Sequence, residues 1–246
     1  MARTVESVEN PTETESILKE NKDSQLYLVS APSCGGKTTL FDLLTPDKRF
    51  ARAVTCTTRP PRIKQDTGQK EIDGVDYHFH SISKFLLKIG DDDFLEYARF
   101  GGHLYGTCRN EIERLAALNK HILLNIEVNG AEQIRKKACT DYLLKRALVQ
   151  IFLTPPTLGI LEERLCKRKA NTPEEIKKRL AEAPIELEKS KEYDYLIVST
   201  TPEEDLRRMM VIFYAENMKR SSILLDLVVM REARSMKREF ATVSLS

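Results

Sequence analysis

One junction in this sequence constrains the possible folds more than any other feature. An apolar run without polar alternation, residues 26–29, leads into the segment SAPSCGGKTT at residues 30–39, and an amphipathic stretch follows at residues 37–44. A short continuous apolar run suits a strand that is buried on both faces of a parallel sheet. The stretch after it places Leu40, Phe41 and Leu44 on one helical face. The junction therefore predicts a buried strand, a tight loop and a helix in direct succession.

The alternation of strands and helices continues along the chain. Further buried strands are predicted at residues 122–127, 149–153 and 195–199, and helical stretches are predicted at residues 112–118 and 131–137. Strands that alternate with helices form right-handed crossovers, which cover the faces of a parallel sheet with helices. The predicted fold class is therefore α/β.

Composition argues against several classes of protein. The 39 basic and 37 acidic residues give a net charge of +2, which gives no sign of a nucleic-acid groove. The five cysteines lie far apart without a C-x-x-C pair, which argues against a zinc ribbon or a secreted disulfide scaffold. No apolar run approaches the roughly 20 residues of a membrane helix, and no signal-peptide core stands at the start. We therefore expect a cytoplasmic protein without nucleic-acid or membrane partners.

Two stretches interrupt the alternation. Residues 50–107 hold Pro60-Pro61, Asp73-Gly74 and Gly101-Gly102, the punctuation of short strands and turns, and so predict an inserted subdomain. Residues 155–191 are densely charged, and the segment TPEE at residues 172–175 has the form of a capping box with proline at the first helical position. An apolar stripe at helical spacing follows, and Pro184 within it predicts a kink.

The two ends of the chain differ from the rest. Residues 1–24 are polar and are expected to form a disordered or loosely attached tail. The apolar segment at residues 222–230 belongs to an extension, residues 219–246, that is too apolar to remain in water without a reason. We favour an extension of the last helix that packs on the core, and a subunit or partner contact is the alternative. The sequence leaves open whether the protein is a monomer or a homo-oligomer.

Residues 30–39 have the context that a Walker A loop requires, because a strand precedes them and a helix follows. In such loops the backbone N–H groups and the positive helix end cradle phosphate oxygens. Lys37 would reach the β- and γ-phosphates of ATP, and the Thr38 hydroxyl would join a bound Mg²⁺ ion. A lone G-K-T tripeptide would also suit a plain turn before a surface helix. The predicted nucleotide-binding residues are Ala31, Pro32, Ser33, Cys34, Gly35, Gly36, Lys37 and Thr38.

Several motifs follow this loop in a fixed order. They are TCTTRPPR at residues 55–62, GVDYHF at 74–79, LEYA at 95–98, LYGT at 104–107 and NIEVNG at 125–130. With them the chain closely resembles the guanylate kinases of the bacterial type, over residues 26–200. The resemblance implies a P-loop NTPase-type parallel sheet covered by helices, within residues 25–218. It also implies a mixed-β subdomain that binds a nucleoside monophosphate, at about residues 50–107, and a helical lid at about residues 155–191.

The resemblance also implies an activity, the Mg²⁺-dependent transfer of the ATP γ-phosphoryl group to GMP in purine nucleotide metabolism. Arg59 and Arg62 would hold the GMP phosphate, because guanidinium groups donate hydrogen bonds in pairs, and the phenols of Tyr77 and Tyr105 would assist them. Glu96 would accept from the adjacent N1–H and N2–H donors of guanine, an edge on which adenine presents an acceptor. The remaining implied GMP-binding residues are Thr55, Thr107 and Glu127.

The implied catalytic residues are Lys37 and three arginines of the lid, Arg164, Arg168 and Arg179. Phosphoryl transfer spreads negative charge over the transferred group, so arginines that arrive when the lid closes would stabilise it and exclude water. Two readings of different kind stay open: a related kinase with another acceptor, and a non-catalytic module of this family that binds protein. The retained lysine and clamp arginines disfavour the second.

The chain departs from the family pattern at several positions. Cys34 stands where glycine is usual, and a side chain there costs roughly 1 kcal/mol if the backbone needs a positive φ. Weaker or oxidation-sensitive ATP binding is the hypothesis that follows. Asn125 replaces an acid near the metal, Ser199 replaces an asparagine near the adenine, and Pro184 interrupts a helix.

Overall fold

The computed structural model describes residues 24–64, 67–167 and 172–219. The strands in these ranges are β1 (Leu26–Ser30), β2 (Phe50–Arg52), β3 (Cys56–Thr57), β4 (His78–Phe79), β5 (Phe94–Phe100), β6 (His103–Cys108), β7 (His121–Asn125), β8 (Leu148–Thr154) and β9 (Tyr195–Val198). The helices are α1 (Lys37–Leu44), α2 (Ile82–Gly90), α3 (Arg109–Ala117), α4 (Val128–Ala138), α5 (Tyr142–Ala147), α6 (Leu158–Lys167) and α7 (Pro173–Glu188). A further helix, α8, is described over residues 202–219.

The larger sheet has the strand order β2-β7-β1-β8-β9, and all of its pairings are parallel. Alternate side chains of β1 enter two cores, because successive residues of a strand face opposite sides. Leu26 and Leu28 pack on one face with residues of α3 and α4, whereas Tyr27 and Val29 pack on the other with residues of α1 and α8. This confirms the predicted α/β class and the helix-covered parallel sheet.

A second, mixed sheet has the strand order β4-β3-β6-β5. Its β3–β4 pairing is parallel, whereas β6 pairs antiparallel with both β3 and β5. The ring of Phe85 in α2 stacks on Phe94 of β5 at 4.5 Å between centroids, and the two close a small separate core. Strand β2 lies in the larger sheet, so the second sheet starts at Cys56 rather than at residue 50.

Helices α6 and α7 pack against each other through Leu161, Leu165 and Ala183. The predicted capping box is present at the start of α7. The Thr172 hydroxyl accepts from the Glu175 amide at 3.2 Å, and the Thr172 amide donates to the Glu175 carboxylate at 2.9 Å. Helix α7 continues through Pro184 to Glu188, and the kink expected there stays a prediction.

Some predicted features fall outside the described residues, namely the N-terminal tail up to residue 23, the extension from residue 220 onward, and Arg168. None of the helices within residues 24–64, 67–167 and 172–219 has both the length and the apolar character that a bilayer crossing requires.

Candidate active site

A cleft of about 870 Å³ lies where the phosphate loop, the second sheet, the lid helices and the end of β9 meet. It brings together most of the residues predicted from the sequence. They are Pro32, Ser33, Cys34, Gly35, Gly36, Lys37 and Thr38 of the loop, Thr55, Tyr77, Glu96 and Tyr105 in and beside the second sheet, Glu127 at the start of α4, Arg164 of α6 and Arg179 of α7. Among the predicted residues that the structure describes, four are not part of the lining: Ala31, Arg59, Arg62 and Thr107.

The loop between β1 and α1 folds tightly. The Gly35 amide donates to the Pro32 carbonyl at 2.9 Å, and a Cβ on Gly35 would lie 2.7 Å from the Ala31 Cβ. Gly36 has a φ of +105°, in a left-handed region that glycine adopts readily because glycine has no Cβ. Cys34 has a φ of +65°, so the sequence departure does occupy a left-handed position and costs roughly 1 kcal/mol. Its side chain packs against the α6–α7 core.

Lys37 is the first residue of α1, and its ammonium group points back to the loop. Its Nζ donates to the Ala31 carbonyl at 2.8 Å and lies 4.0 Å from a carboxylate oxygen of Glu127. Glu127 is the N-cap residue of α4, but its side chain makes no capping hydrogen bond and its carboxylate lies near the lysine instead. The lysine side chain is only 11% exposed, and Lys37 lines the cleft.

Glu96 lies on β5 and is buried, with 6% of its surface exposed. Its carboxylate accepts from the Thr107 hydroxyl of β6 at 2.7 Å. Burial raises the pKa of Glu96 to about 7, and the hydrogen bonds from Thr107 and the charge of Lys137 oppose this rise. A buried carboxyl that lines the cleft and has one hydroxyl partner retains acceptor capacity for a ligand.

Arg59 lies behind the cleft wall rather than on it. Its two terminal nitrogens donate to the two oxygens of Glu71 at 2.8 and 2.9 Å, and its guanidinium carbon is 5.2 Å from the Tyr77 ring centroid. Tyr77 in turn meets Tyr105 edge to face at 6.2 Å. Glu71 also accepts from the Arg62 amide at 2.7 Å, while the Arg62 residue is exposed. The role of Glu71 was not predicted from the sequence, because a single acid in a turn-rich segment does not indicate that it pairs with Arg59.

Two arginines of α6 and α7 contact the phosphate loop and the residue that follows β9. Arg179 of α7 donates to the Ser33 hydroxyl of the phosphate loop. Arg164 of α6 donates to the Ser199 hydroxyl and to the Ser199 carbonyl, both at 3.2 Å. The Ser199 hydroxyl donates to the buried carboxylate of Asp205 at 2.6 Å. Asp205 was not predicted from the sequence. It binds the hydroxyl of Ser199, the residue that stands where the family usually has asparagine.

A further acidic side chain faces the cleft from the lid. Burial raises the pKa of Glu186 to about 7, and repulsion from Glu127 adds to this rise, whereas Lys37 opposes it. Glu182, one helical turn earlier, also lines the cleft. In the part of the chain that the structure describes, no three His, Cys, Asp or Glu side chains gather closely enough to hold a metal ion.

Fold and cleft together define a class, an α/β protein of the P-loop type whose second sheet lines the same cleft as the phosphate loop. The family model for guanylate kinase matches residues 23–216. The chain is 38% identical to the guanylate kinase of Sphingopyxis alaskensis over 201 residues, which are 81% of this chain and 86% of that relative. It is 38% identical to the guanylate kinase of Thermus thermophilus over 192 residues, 78% of this chain and 81% of that relative.

A solved structure supports the same conclusion. The crystal structure of guanylate kinase from Anaplasma phagocytophilum matches with a TM-score of 0.58 and 27% identity, over 79% of this chain and 87% of that chain. The chain belongs to the guanylate kinase family, and the resemblance seen in the sequence motifs is confirmed.

The contact between Gly130 of α4 and Glu96 generates a prediction. A Cβ at Gly130 would lie 2.7 Å from the Glu96 carboxylate and 2.8 Å from Ile126. Gly130→Ala will therefore displace Glu96 and raise the KM for GMP about tenfold, despite a helix propensity that favours alanine by about 1 kcal/mol. Steady-state kinetics and urea unfolding measure both effects.

Gly159→Ala in α6 is the matched control for this prediction. Its nearest neighbour would be the Thr157 hydroxyl at 3.7 Å, an ordinary contact, so it should leave the KM unchanged and keep or raise the free energy of unfolding. Equal effects of the two alanines would contradict the steric account.

Proposed function

We propose that this chain transfers the γ-phosphoryl group of ATP to GMP and releases ADP and GDP. One observation carries the proposal: the phosphate loop with Lys37, and the pocket with Glu96, Tyr77 and Tyr105, line a single cleft. A donor and an acceptor bound at these two ends would meet within it. Membership of the guanylate kinase family supports the same activity.

On the donor side, the loop at residues 31–37 would enclose the ATP phosphates with its backbone N–H groups. Lys37 now donates to the Ala31 carbonyl, and its ammonium would transfer this bond to phosphate oxygens when ATP binds. Ser199 and Asp205 lie beside Gly36 of this loop and also line the cleft, and they would border the nucleoside side of ATP.

On the acceptor side, Glu96 would accept from N1–H and N2–H of guanine while Thr107 holds its other oxygen. The Tyr77 and Tyr105 phenols would donate to the GMP phosphate, with Thr55 nearby on the cleft wall. Arg59, fixed by Glu71, would add positive charge from behind Tyr77, and the exposed Arg62 would close over the phosphate.

Residues that suit Mg²⁺ are present beside Lys37. The Thr38 hydroxyl and the Asn125 amide oxygen line the cleft, and hard oxygen donors of this kind, completed by substrate phosphates, are typical of Mg²⁺ sites. We infer that Thr38 holds the ion, with Asn125 in support. The bound ion would neutralise charge on the transferred group.

The lid would complete the site when it closes. Arg164 and Arg179 already reach the cleft from α6 and α7, and Arg168 would join them from the segment between. These guanidinium groups would stabilise the charge on the transferred phosphoryl group, and closure would exclude water that otherwise hydrolyses ATP. A general base is not required, because the acceptor phosphate is already anionic near neutral pH.

A coupled assay of ADP formation tests the proposal. ATP with GMP should give turnover, and kcat/KM with AMP should be lower by about 10⁴-fold, since adenine leaves the buried carboxylate without donors. UMP and CMP complete the acceptor series, and Lys37→Met should abolish turnover while GMP still binds. Turnover with AMP and not GMP would overturn the role of Glu96. Absence of turnover with every acceptor, together with tight peptide binding, would favour the non-catalytic module.

The raised pKa of Glu96 generates a second test. At pH 6.5, below its pKa of about 7, much of the free protein carries a protonated Glu96. Guanine donors favour the carboxylate form and lower this pKa, so GMP binding should release protons. Calorimetry in two buffers of different ionisation enthalpy measures the number of protons released per GMP bound. Glu96→Gln is the control, because in this variant only the GMP phosphate can still release a proton on binding. Equal proton release by the wild type and by Glu96→Gln would contradict the assignment of Glu96 to the guanine base.

A further inference from the structure

Strand β5, which carries Glu96, is the outer strand of the second sheet. An outer strand leaves a row of backbone N–H and C=O groups without a strand partner. On this side β5 faces α4, the helix that follows β7 in the larger sheet. The orientation of Glu96 therefore depends on what α4 offers to the open edge.

Gln133 of α4 takes the place of a neighbouring strand. Its side-chain oxygen accepts from the Tyr97 amide at 3.2 Å, and its side-chain nitrogen donates to the Tyr97 carbonyl at 2.9 Å. One carboxamide thus satisfies both backbone groups of the residue that directly follows Glu96. This two-bond contact has the pattern of a strand pairing, but a helix side chain supplies it.

Lys137 holds the backbone on the other side of Glu96. Its ammonium donates to the Phe94 carbonyl at 2.7 Å. Gly130, Gln133 and Lys137 are spaced three and four residues apart, so they share one face of α4. On this face Gly130 leaves room for the Glu96 carboxylate, and Gln133 and Lys137 hold the backbone at Tyr97 and Phe94 on either side of it.

The segment between these two contacts contains an irregular register. Phe94 pairs with Cys108 and Glu96 pairs with Thr107, so Leu95 is an extra residue on β5. Such a bulge redirects the side chains beside it and weakens the local ladder. The backbone of β6 therefore fixes Glu96 less firmly than regular pairing would, and the contacts from α4 add to the hydrogen bond that Thr107 of β6 donates to its carboxylate.

We propose that Gln133 is a positioning residue that fixes the direction of the Glu96 carboxylate and thereby sets the selectivity for guanine. The proposal rests on the proposed function, in which Glu96 accepts from the guanine edge. Helix α4 begins beside Glu127, 4.0 Å from the Lys37 ammonium, so the helix that orients the acceptor base also borders the phosphate loop.

Gln133→Met tests the proposal, because methionine keeps the length and removes both hydrogen-bonding groups. Calorimetry with GMP and with IMP, whose base has N1–H but no 2-amino group, measures selectivity. The Kd for GMP should rise about tenfold and the Kd for IMP less than threefold, while the KM for ATP stays within twofold of wild type. A general loss of structure would weaken all three together.

Lys136→Met is the matched control, since Lys136 is exposed on α4 and contacts only Glu132 by an ion pair among the described residues. Lys136→Met should leave the Kd for GMP, the Kd for IMP and the KM for ATP unchanged. Lys137→Met is the second variant, which frees the other side of Glu96 and should lower the same GMP preference even if Gln133→Met folds poorly.

An unchanged ratio of the GMP and IMP dissociation constants in folded Gln133→Met would overturn the inference. If that variant does not fold, an unchanged ratio in Lys137→Met would overturn it. That outcome is distinct from failure of the proposed function, which would appear as absence of GMP phosphorylation by the wild-type protein.

Discussion

Two phosphate groups of like charge must approach each other inside one cleft, and the positive groups that permit this must be held ready before either substrate arrives. Lys37 is held by the Ala31 carbonyl and faces Glu127, Arg59 is held by Glu71, and Arg164 is held by Ser199. Each of these cations thus has oxygen partners in the free protein. The conformational entropy of its long side chain is therefore lost when the chain folds and not when the substrate binds. Substrate phosphates would replace or join these oxygens rather than recruit mobile groups from water.

Helix α4 connects the two ends of this cleft. Its first turn follows Glu127 at the phosphate loop, and its next turns present Gly130 and Gln133 to the strand that carries Glu96. One helix thus borders both the Lys37 ammonium and the Glu96 carboxylate. The larger sheet carries the phosphate loop, and the second sheet, closed by the stacked Phe85 and Phe94, carries Glu96.

Much of this arrangement could be predicted from local sequence signals. The first strand, loop and helix follow from an apolar run, paired glycines and an amphipathic stretch, and α1 has the predicted bounds. The positive φ at Cys34 follows from its place in a loop that normally has glycine there. Each of these signals lies within about ten residues of the feature it predicts.

What sequence reasoning missed depends on distant partners. Glu71 and Gln133 look like ordinary polar residues, and only the fold brings them to Arg59 and Tyr97, which are 12 and 36 residues away along the chain. Asp205 is only six residues from Ser199, but an acid at that spacing matches no sequence pattern. The extra residue Leu95 leaves no mark on the alternation of so short a strand. Membership of β2 in the larger sheet was equally hidden, because three residues carry too little pattern.

The most direct measurement is a crystal structure of the protein with GMP and a non-hydrolysable ATP analogue bound together. The account predicts that the Glu96 carboxylate lies within about 3.2 Å of guanine N1 and N2 and that Lys37 contacts the terminal phosphate of the analogue. A guanine base bound away from Glu96, or two nucleotides in separate cavities, would contradict it.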